Sequence, residues 1–426
     1  MQGSQKYRVG GLDIAYSGRW VIAFVGPVDH GGPERVRRAL VDYARGNGPA
    51  GRIGLIPDPE SSMWEFRPEE FDDCVVEIDP VEPAQFASTL TALARSAEPR
   101  PPVWIALSGP HAFCYLDHGI GDGLTAFRLL ALVARSSMSE HRRANDDPVP
   151  LRFPAAAAVA AATRKHPMRV AGTLLRNAAA ELSSGHKRKA CADTALTAEV
   201  VGDPQPRSAF SMGTEKAFDE LERFKNEHFP HASSVAMRVA IAACALGRAG
   251  LHPAEPFYLV FDARRYLRRT TVTTGNFAVG LDLSGDLRCP TDITASIRDH
   301  AASGLPALAV ALHSAKSRLR VALGKPRKSP APQTINADPW VTVSDLSGGP
   351  AGLIDSFAWL APAEDRNIGA FSAPAGRDAI TLTYGLLGRR VSLTASFDEG
   401  VFDPALVASA VASAVEDPVG LLGGRR

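Results

Sequence analysis

Residues 104–130 read WIALSGPHAFCYLDHGIGDGLTAFRLL, an apolar strand pattern that meets His118-Gly119-Ile120-Gly121-Asp122-Gly123 and then turns into a helix pattern. Trp104, Ala106, Phe113, Tyr115 and Leu116 fit one or two half-buried strands punctuated by Gly109-Pro110. Leu124, Phe127, Leu130, Ala131 and Ala134 then recur at helical spacing. His118 is therefore expected in the short turn between a strand and a helix, where two glycines let the backbone bend and bring the imidazole out at the sheet edge. An imidazole held there can take a proton from a bound nucleophile.

Asp122 is close enough through the turn to fix the loop, and its carboxylate can accept backbone N–H groups at the helix start. Gly123 leaves its N–H unshielded at that end, a place where developing negative charge is favoured. The same letters also fit a plain turn, with Asp122 an N-cap only, the glycines bends only, and His118 a surface loop residue.

A strand, then His-x-x-x-Asp-Gly, then an amphipathic helix in a chain of 426 residues resembles the chloramphenicol acetyltransferase-like superfamily. That superfamily comprises nonribosomal peptide condensation domains, plant-type BAHD acyltransferases, polyketide-associated acyltransferases and bacterial wax ester synthases. Condensation domains usually carry two adjacent histidines before the spacer. Here the first position is Asp117 and the second, catalytic by resemblance, is His118. Phe261-Asp262-Ala263-Arg264-Arg265 is similar to the family's strand ending in an arginine that pairs with the motif aspartate, so the resemblance makes Arg264 the partner of Asp122. Thr274-Gly275-Asn276-Phe277-Ala278-Val279-Gly280 resembles the Gly-Asn segment near the substrate channel, with Val279 where an asparagine is common; Gly275-Asn276 also reads as a bare turn. Val341-Thr342-Val343-Ser344-Asp345-Leu346 resembles the wax-ester-synthase-like strand end and adds Ser344 to the expected channel residues Asp117, Gly275 and Asn276. The resemblance spans nearly the whole chain at low identity, and the hexad is its specific part.

The resemblance implies an α/β (α+β) protein of two lobes, each a mixed sheet covered by helices, with a channel between them that leads to His118 from opposite faces. Residues 1–185 are expected as the lobe carrying the motif, 186–212 as a linker and 213–426 as the second lobe. It also implies acyl transfer. His118 as general base removes a proton from a hydroxyl or amine of a small-molecule acceptor while that group attacks a thioester, with Asp122 orienting. No cofactor is expected to stay bound, the donor being an acyl-CoA or a phosphopantetheine-linked acyl group brought by an acyl or peptidyl carrier protein, in specialised metabolism. Two other readings stay open: a free-standing condensation enzyme forming an amide between carrier-bound substrates, and a catalytically idle carrier-binding module.

Composition narrows the classes. The chain is too long for one ordinary core, and 45% apolar residues suffice for two. A formal charge of +1 argues against a nucleic-acid binder, which needs excess Lys and Arg. Cys74, Cys114, Cys191, Cys244 and Cys289 are odd in number and widely spaced, which suits reduced thiols in a cytoplasm. Residues 1–9 lack an apolar stretch of the secretory kind, and no run of about 18 apolar residues suggests a membrane span. His228 and His231 lack a third ligand nearby, so no metal is expected.

Along the chain, residues 14–25 read as strands around Ser17-Gly18, and Pro33 opens a helix carrying Val36, Leu40 and Tyr43. Residues 52–56 and 74–78 read as strands, and Phe86, Leu90 and Leu93 as a helix from near Pro83. Residues 151–207 are alanine-rich and then basic at Arg164, Lys165, Arg169, Arg176, Lys187, Arg188 and Lys189: a solvated face, or a docking surface for an acidic carrier or a coenzyme A phosphate. Helices are expected over 214–246 and 292–320, a flexible crossover over 324–332, strands at 257–261, 341–344, 357–361, 380–384 and 391–397, and a closing helix over 401–415.

Overall fold

The computed structural model describes residues 5–96, 100–134, 151, 153–174, 198–199, 203–268, 273, 275–283, 286–327, 334–335, 338–348 and 351–423. Two mixed sheets organise it. The first has five strands in the order Asn367–Ser372, Trp20–Gly26, His111–Asp117, Val103–Ser108 and Val75–Glu77, with one parallel pair at the Val75–Glu77 edge. The second has six, Ala278–Leu283, Ala254–Asp262, Trp340–Asp345, Ala379–Leu387, Arg390–Asp398 and Pro206–Met212, with its three central strands parallel.

Each sheet is covered by helices whose pattern follows from what they touch. Helix Gly123–Ala134 packs on strands Trp20–Gly26 and His111–Asp117 and beside helix Pro33–Asn47, which explains why its last six residues are all buried. Helix Ser234–Arg248 is buried along most of its length because helices Pro290–Ser303 and Pro404–Glu416 flank it against the second sheet, and its buried Arg238 is paired with Asp345 at 2.7 Å. Its start is capped by Ser233, whose hydroxyl accepts from Ala236 N at 3.1 Å. Among the described residues no helix is long and apolar enough to cross a membrane.

The halves of the chain are interlocked. Strand Asn367–Ser372, late in the sequence, pairs antiparallel with Trp20–Gly26 and completes the first sheet. Gly369 lies against the Phe24 ring there: a Cβ would stand 2.4 Å from Phe24 Cε1. On the same sheet Phe24 stacks with Phe113 and meets Phe86, while Phe210 of the second sheet contacts Phe24 edge-on at 5.1 Å and Phe86 at 5.9 Å.

Several stretches differ from the sequence expectation; of residues 52–56 only Leu55–Ile56 is strand, because Arg52 turns the chain at φ 69°. Residues 14–25 are not two strands: Gly11–Tyr16 is helical, Gly18 turns the chain at φ 77°, and the strand is Trp20–Gly26. The cause is tertiary, since Asp13 accepts from Gly10 N at 2.9 Å to start the helix and Gly11 N donates to Ser314 Oγ of helix Leu305–Ala322 at 3.1 Å. Residues 357–361 hold only an isolated bridge, Val28 to Trp359; the strand of that region is Asn367–Ser372. The end of the 186–212 segment, Pro206–Met212, is the edge strand of the second sheet, while Arg176, Lys187, Arg188, Lys189 and Cys191 lie outside the described residues, as do 328–332 of the expected crossover.

Phe24→Ala, which empties the centre of the aromatic cluster between the sheets, should lower the unfolding free energy by about 3 to 5 kcal/mol in urea titration followed by circular dichroism. A loss below about 1 kcal/mol would show that the cluster does not hold the halves together.

Candidate active site

Strand His111–Asp117 is in register with Trp20–Gly26, Trp20 opposite Asp117, and the chain leaves the ladder at the next residue. His118 N donates to Arg19 O at 2.7 Å, and Ile120 N closes a tight turn on Asp117 O at 2.8 Å. Asp117 grips both sides of this exit, its two carboxylate oxygens accepting from Gly119 N at 2.7 Å and Gly18 N at 2.8 Å. Burial pushes its carboxyl up to about 6 against the pull of those two N–H groups. Asp117 also borders a cavity of about 260 Å³ with Trp104, Tyr115 and Leu93.

The turn leaves four consecutive carbonyls to be satisfied, and each takes a side-chain donor. Asn276 Nδ2 donates to His118 O at 2.6 Å, Arg52 Nη2 to Gly119 O at 2.7 Å, Arg52 Nε to Ile120 O at 2.6 Å, and His118 Nδ1 to Gly121 O at 3.0 Å. A carbonyl can only accept, so Nδ1 carries the proton of the neutral ring and Nε2 keeps the basic lone pair. The half-buried imidazole stacks on Tyr16 with centroids 4.6 Å apart and planes 20° apart. Burial holds the pKa of His118 below the ordinary value, opposed by the Gly121 bond and by Asp122 and reinforced by Arg19.

Asp122 closes the turn and starts helix Gly123–Ala134, accepting from Thr125 N and Thr125 Oγ1, each at 3.2 Å. Its other oxygen lies 2.9 Å from Arg264 Nη2. Burial opposes ionisation of Asp122, but the Arg264 charge and the Thr125 N–H more than offset it, and the carboxyl stays below the usual range. Arg264 is itself held from behind, donating to Gly275 O at 2.6 Å, Thr273 Oγ1 at 3.1 Å and Asp262 Oδ1 at 3.2 Å. Arg265 stacks over Phe261 instead, and Thr274 lies outside the described residues.

Gly275 and Asn276 reach the motif from the second half of the chain. Asn276 N and Nδ2 both donate to Asp13 Oδ1, at 2.9 and 3.3 Å, and Gly275 at φ 87° lies where a Cβ would stand 2.6 Å from that oxygen. Only glycine suits both the conformation and the space. Gly123 faces Leu346, a Cβ there meeting Leu346 Cδ1 at 2.8 Å. Ser344 sits two residues earlier in the parallel ladder opposite Thr383, and among the described residues no hydrogen bond joins it to the motif; Leu346 makes that approach.

Sequence reasoning missed Asp13 and Arg52, which form a buried ion pair at 3.0 Å beneath the loop. Neither stands in a motif, and the only local signal is a charge set among apolar neighbours. Among the described residues no group of three or more His, Cys, Asp or Glu is arranged to hold a metal; His228 instead packs on Phe224 at 4.5 Å.

No protein-family model and no curated protein sequence matches the chain. Solved structures do. The chain is similar to a trichothecene 15-O-acetyltransferase from Fusarium sporotrichioides, with a TM-score of 0.61 at 12% identity over 98% of this chain and 95% of that one. It is similar to polyketide synthase associated protein 5 from Mycobacterium tuberculosis, TM-score 0.52 at 12% identity over 97% and 99%. The cyclization-docking bidomain of a nonribosomal peptide synthetase from Sorangium cellulosum aligns with TM-score 0.53 at 12% identity over 98% and 85%. The chain shares its two-sheet α/β fold with these three proteins along nearly its whole length.

Breaking the hidden pair gives a direct test of its role in the turn. Arg52→Met strands the Asp13 carboxylate and two carbonyls, and should cost about 3 to 5 kcal/mol of stability, whereas Asp13→Asn combined with Arg52→Met should recover part of that loss. Equal stability of Arg52→Met and wild type in urea titration would rule the pair out as a support of the motif.

Proposed function

We propose that the protein is an acyltransferase that moves an acyl group from a thioester, an acyl-CoA or an acyl-carrier protein, to a hydroxyl or amine of a small molecule, with His118 as general base. One observation carries the reading: the imidazole is held in a single tautomer, Nδ1–H on Gly121 O, with Nε2 as its one remaining basic position. In the reaction Nε2 takes the acceptor proton as oxygen or nitrogen attacks the thioester carbonyl, and gives it to the leaving thiolate when the intermediate collapses. Asp122 takes no part in proton transfer, because it stays ionised against Arg264; it shapes the turn. Gly123 opens a helix whose amino-terminal dipole favours the negative charge that develops on the carbonyl oxygen. The fold, shared with an acetyltransferase and a polyketide synthase associated protein, supports the reading. The fold shared with a nonribosomal peptide synthetase part is compatible with a carrier-bound donor, and Arg164 and Lys165 at the exposed end of helix Pro154–Lys165, with exposed Arg169 beyond it, are the described part of the basic run that such a carrier would meet.

The experiment is intact small-molecule mass spectrometry of product formed from a panel of acyl-CoA and acyl-carrier donors with hydroxyl and amine acceptors. His118→Ala should lower kcat/KM by roughly two to four powers of ten with the fold intact. Full turnover by that variant would end the assignment.

The pH profile follows from the same imidazole. An unperturbed histidine titrates near pH 6.5, and burial shifts His118 downward, so the base stays neutral to lower pH. The acidic limb of kcat/KM for the free enzyme should therefore fall below about pH 6.5. For stability the sign is the same: the unfolded histidine binds its proton first, so the contribution of neutral His118 is present above about pH 6.5 and is lost as pH falls below it. Comparing wild type with His118→Gln by urea titration on either side of that pH measures it, and a stability difference independent of pH would contradict the assigned shift.

A further inference from the structure

Arg19 is the charged neighbour of His118 for which the reaction as drawn has no use. His118 N donates to Arg19 O at 2.7 Å, one step beyond the Trp20–Asp117 pair, which brings the two residues together where the chains leave the ladder. The Arg19 charge is close enough to act on the His118 imidazole. The Arg19 side chain is half-buried, and among the described residues its guanidinium makes no ion pair and no hydrogen bond.

The charges around it are committed elsewhere. Asp117 holds Gly18 N and Gly119 N, Asp122 pairs with Arg264, and Asp13 pairs with Arg52. Arg327, a cation whose charge acts on Arg19, donates to Ser17 O at 2.5 Å and Ala15 O at 3.3 Å. Tyr16 covers the imidazole on its stacked face.

This placement is unfavourable twice over. A cation beside a general base disfavours the imidazolium that the base must become. Burial disfavours the Arg19 charge itself; the Tyr16 phenol offsets part of this, and Arg327 adds to it. An uncharged side chain at position 19 would remove both penalties. Both also vanish when an anion settles against the guanidinium, because the pair is then neutral and the field on His118 is cancelled.

We propose that Arg19 is an anion-binding residue at the His118 site, and that one of the two substrates carries a carboxylate or a phosphate within one side-chain length of the reacting group. The inference rests on His118 being the base of the reaction. Binding of that substrate would then raise the basicity of His118 at the moment the base is needed, while an uncharged analogue would meet a weaker base.

The test uses the full-length chain and needs no turnover, so it is separable from the acyl-transfer assignment. The His118 imidazole, assigned by loss of its signals in His118→Gln, is titrated with pH by NMR in three conditions: without added anion, with inorganic phosphate, and with acetate. In wild type, phosphate or acetate should raise the His118 pKa saturably, by roughly one pH unit, and the arm that responds identifies the anion. Arg19→Gln should raise the His118 pKa without any anion and abolish the response, Arg19→Lys should retain it, and Arg320→Gln, which removes a rim cation paired with Glu60, should leave it intact. A His118 titration unchanged by both anions in wild type overturns the proposal, and so does an equal response in Arg19→Gln.

Discussion

Four adjacent carbonyls, those of His118, Gly119, Ile120 and Gly121, need donors in a turn too tight to supply them from its own backbone. The donors come from three places: Arg52 in the first half of the chain, Asn276 in the second, and the His118 ring itself. That constraint orders the rest of the site. Because the ring answers one of the four, its tautomer is decided by the backbone. Because Asn276 answers another, the turn cannot reach this geometry until the second half of the chain has docked on the first.

Buried charge maintains the docking. The Asp13 carboxylate, 4% exposed, is shared between Arg52 and Asn276, and Arg264 reaches from Asp262 and the Gly275 carbonyl to Asp122. Taking such groups out of water is expensive, and each is retained with a full complement of partners. Arg52 at φ 69° occupies a conformation disfavoured for a side-chain-bearing residue, which the two carbonyls and the Asp13 carboxylate together stabilise. The apolar counterpart is the Phe24, Phe86, Phe113 and Phe210 cluster, which joins the sheets away from the motif.

Much of this is legible in the letters, and the remainder is not for physical reasons. The hexad, the strands before it and the helix after it announce themselves by local period and by glycine, because the forces that form them act within a few residues. The position of Arg264 is legible only through resemblance, since no local pattern connects it to Asp122. Asp13 and Arg52 are invisible at that level: their pairing exists only once helix Gly11–Tyr16 and the turn after helix Pro33–Asn47 meet beneath the motif. The same holds for strand Asn367–Ser372, whose Asn-Ile-Gly-Ala-Phe-Ser sequence has little strand propensity and is extended because Trp20–Gly26 offers it an edge.

The chemistry open to the site depends most on the state of one ring. The nitrogen-15 chemical shifts of the His118 imidazole, measured by long-range proton correlation above the pH at which it is protonated, report which nitrogen carries the proton. Gly121 O as acceptor predicts a protonated Nδ1 and an unprotonated Nε2. A ring protonated on Nε2, or one averaging between the two forms, would contradict the claim that the turn presents Nε2 as the base.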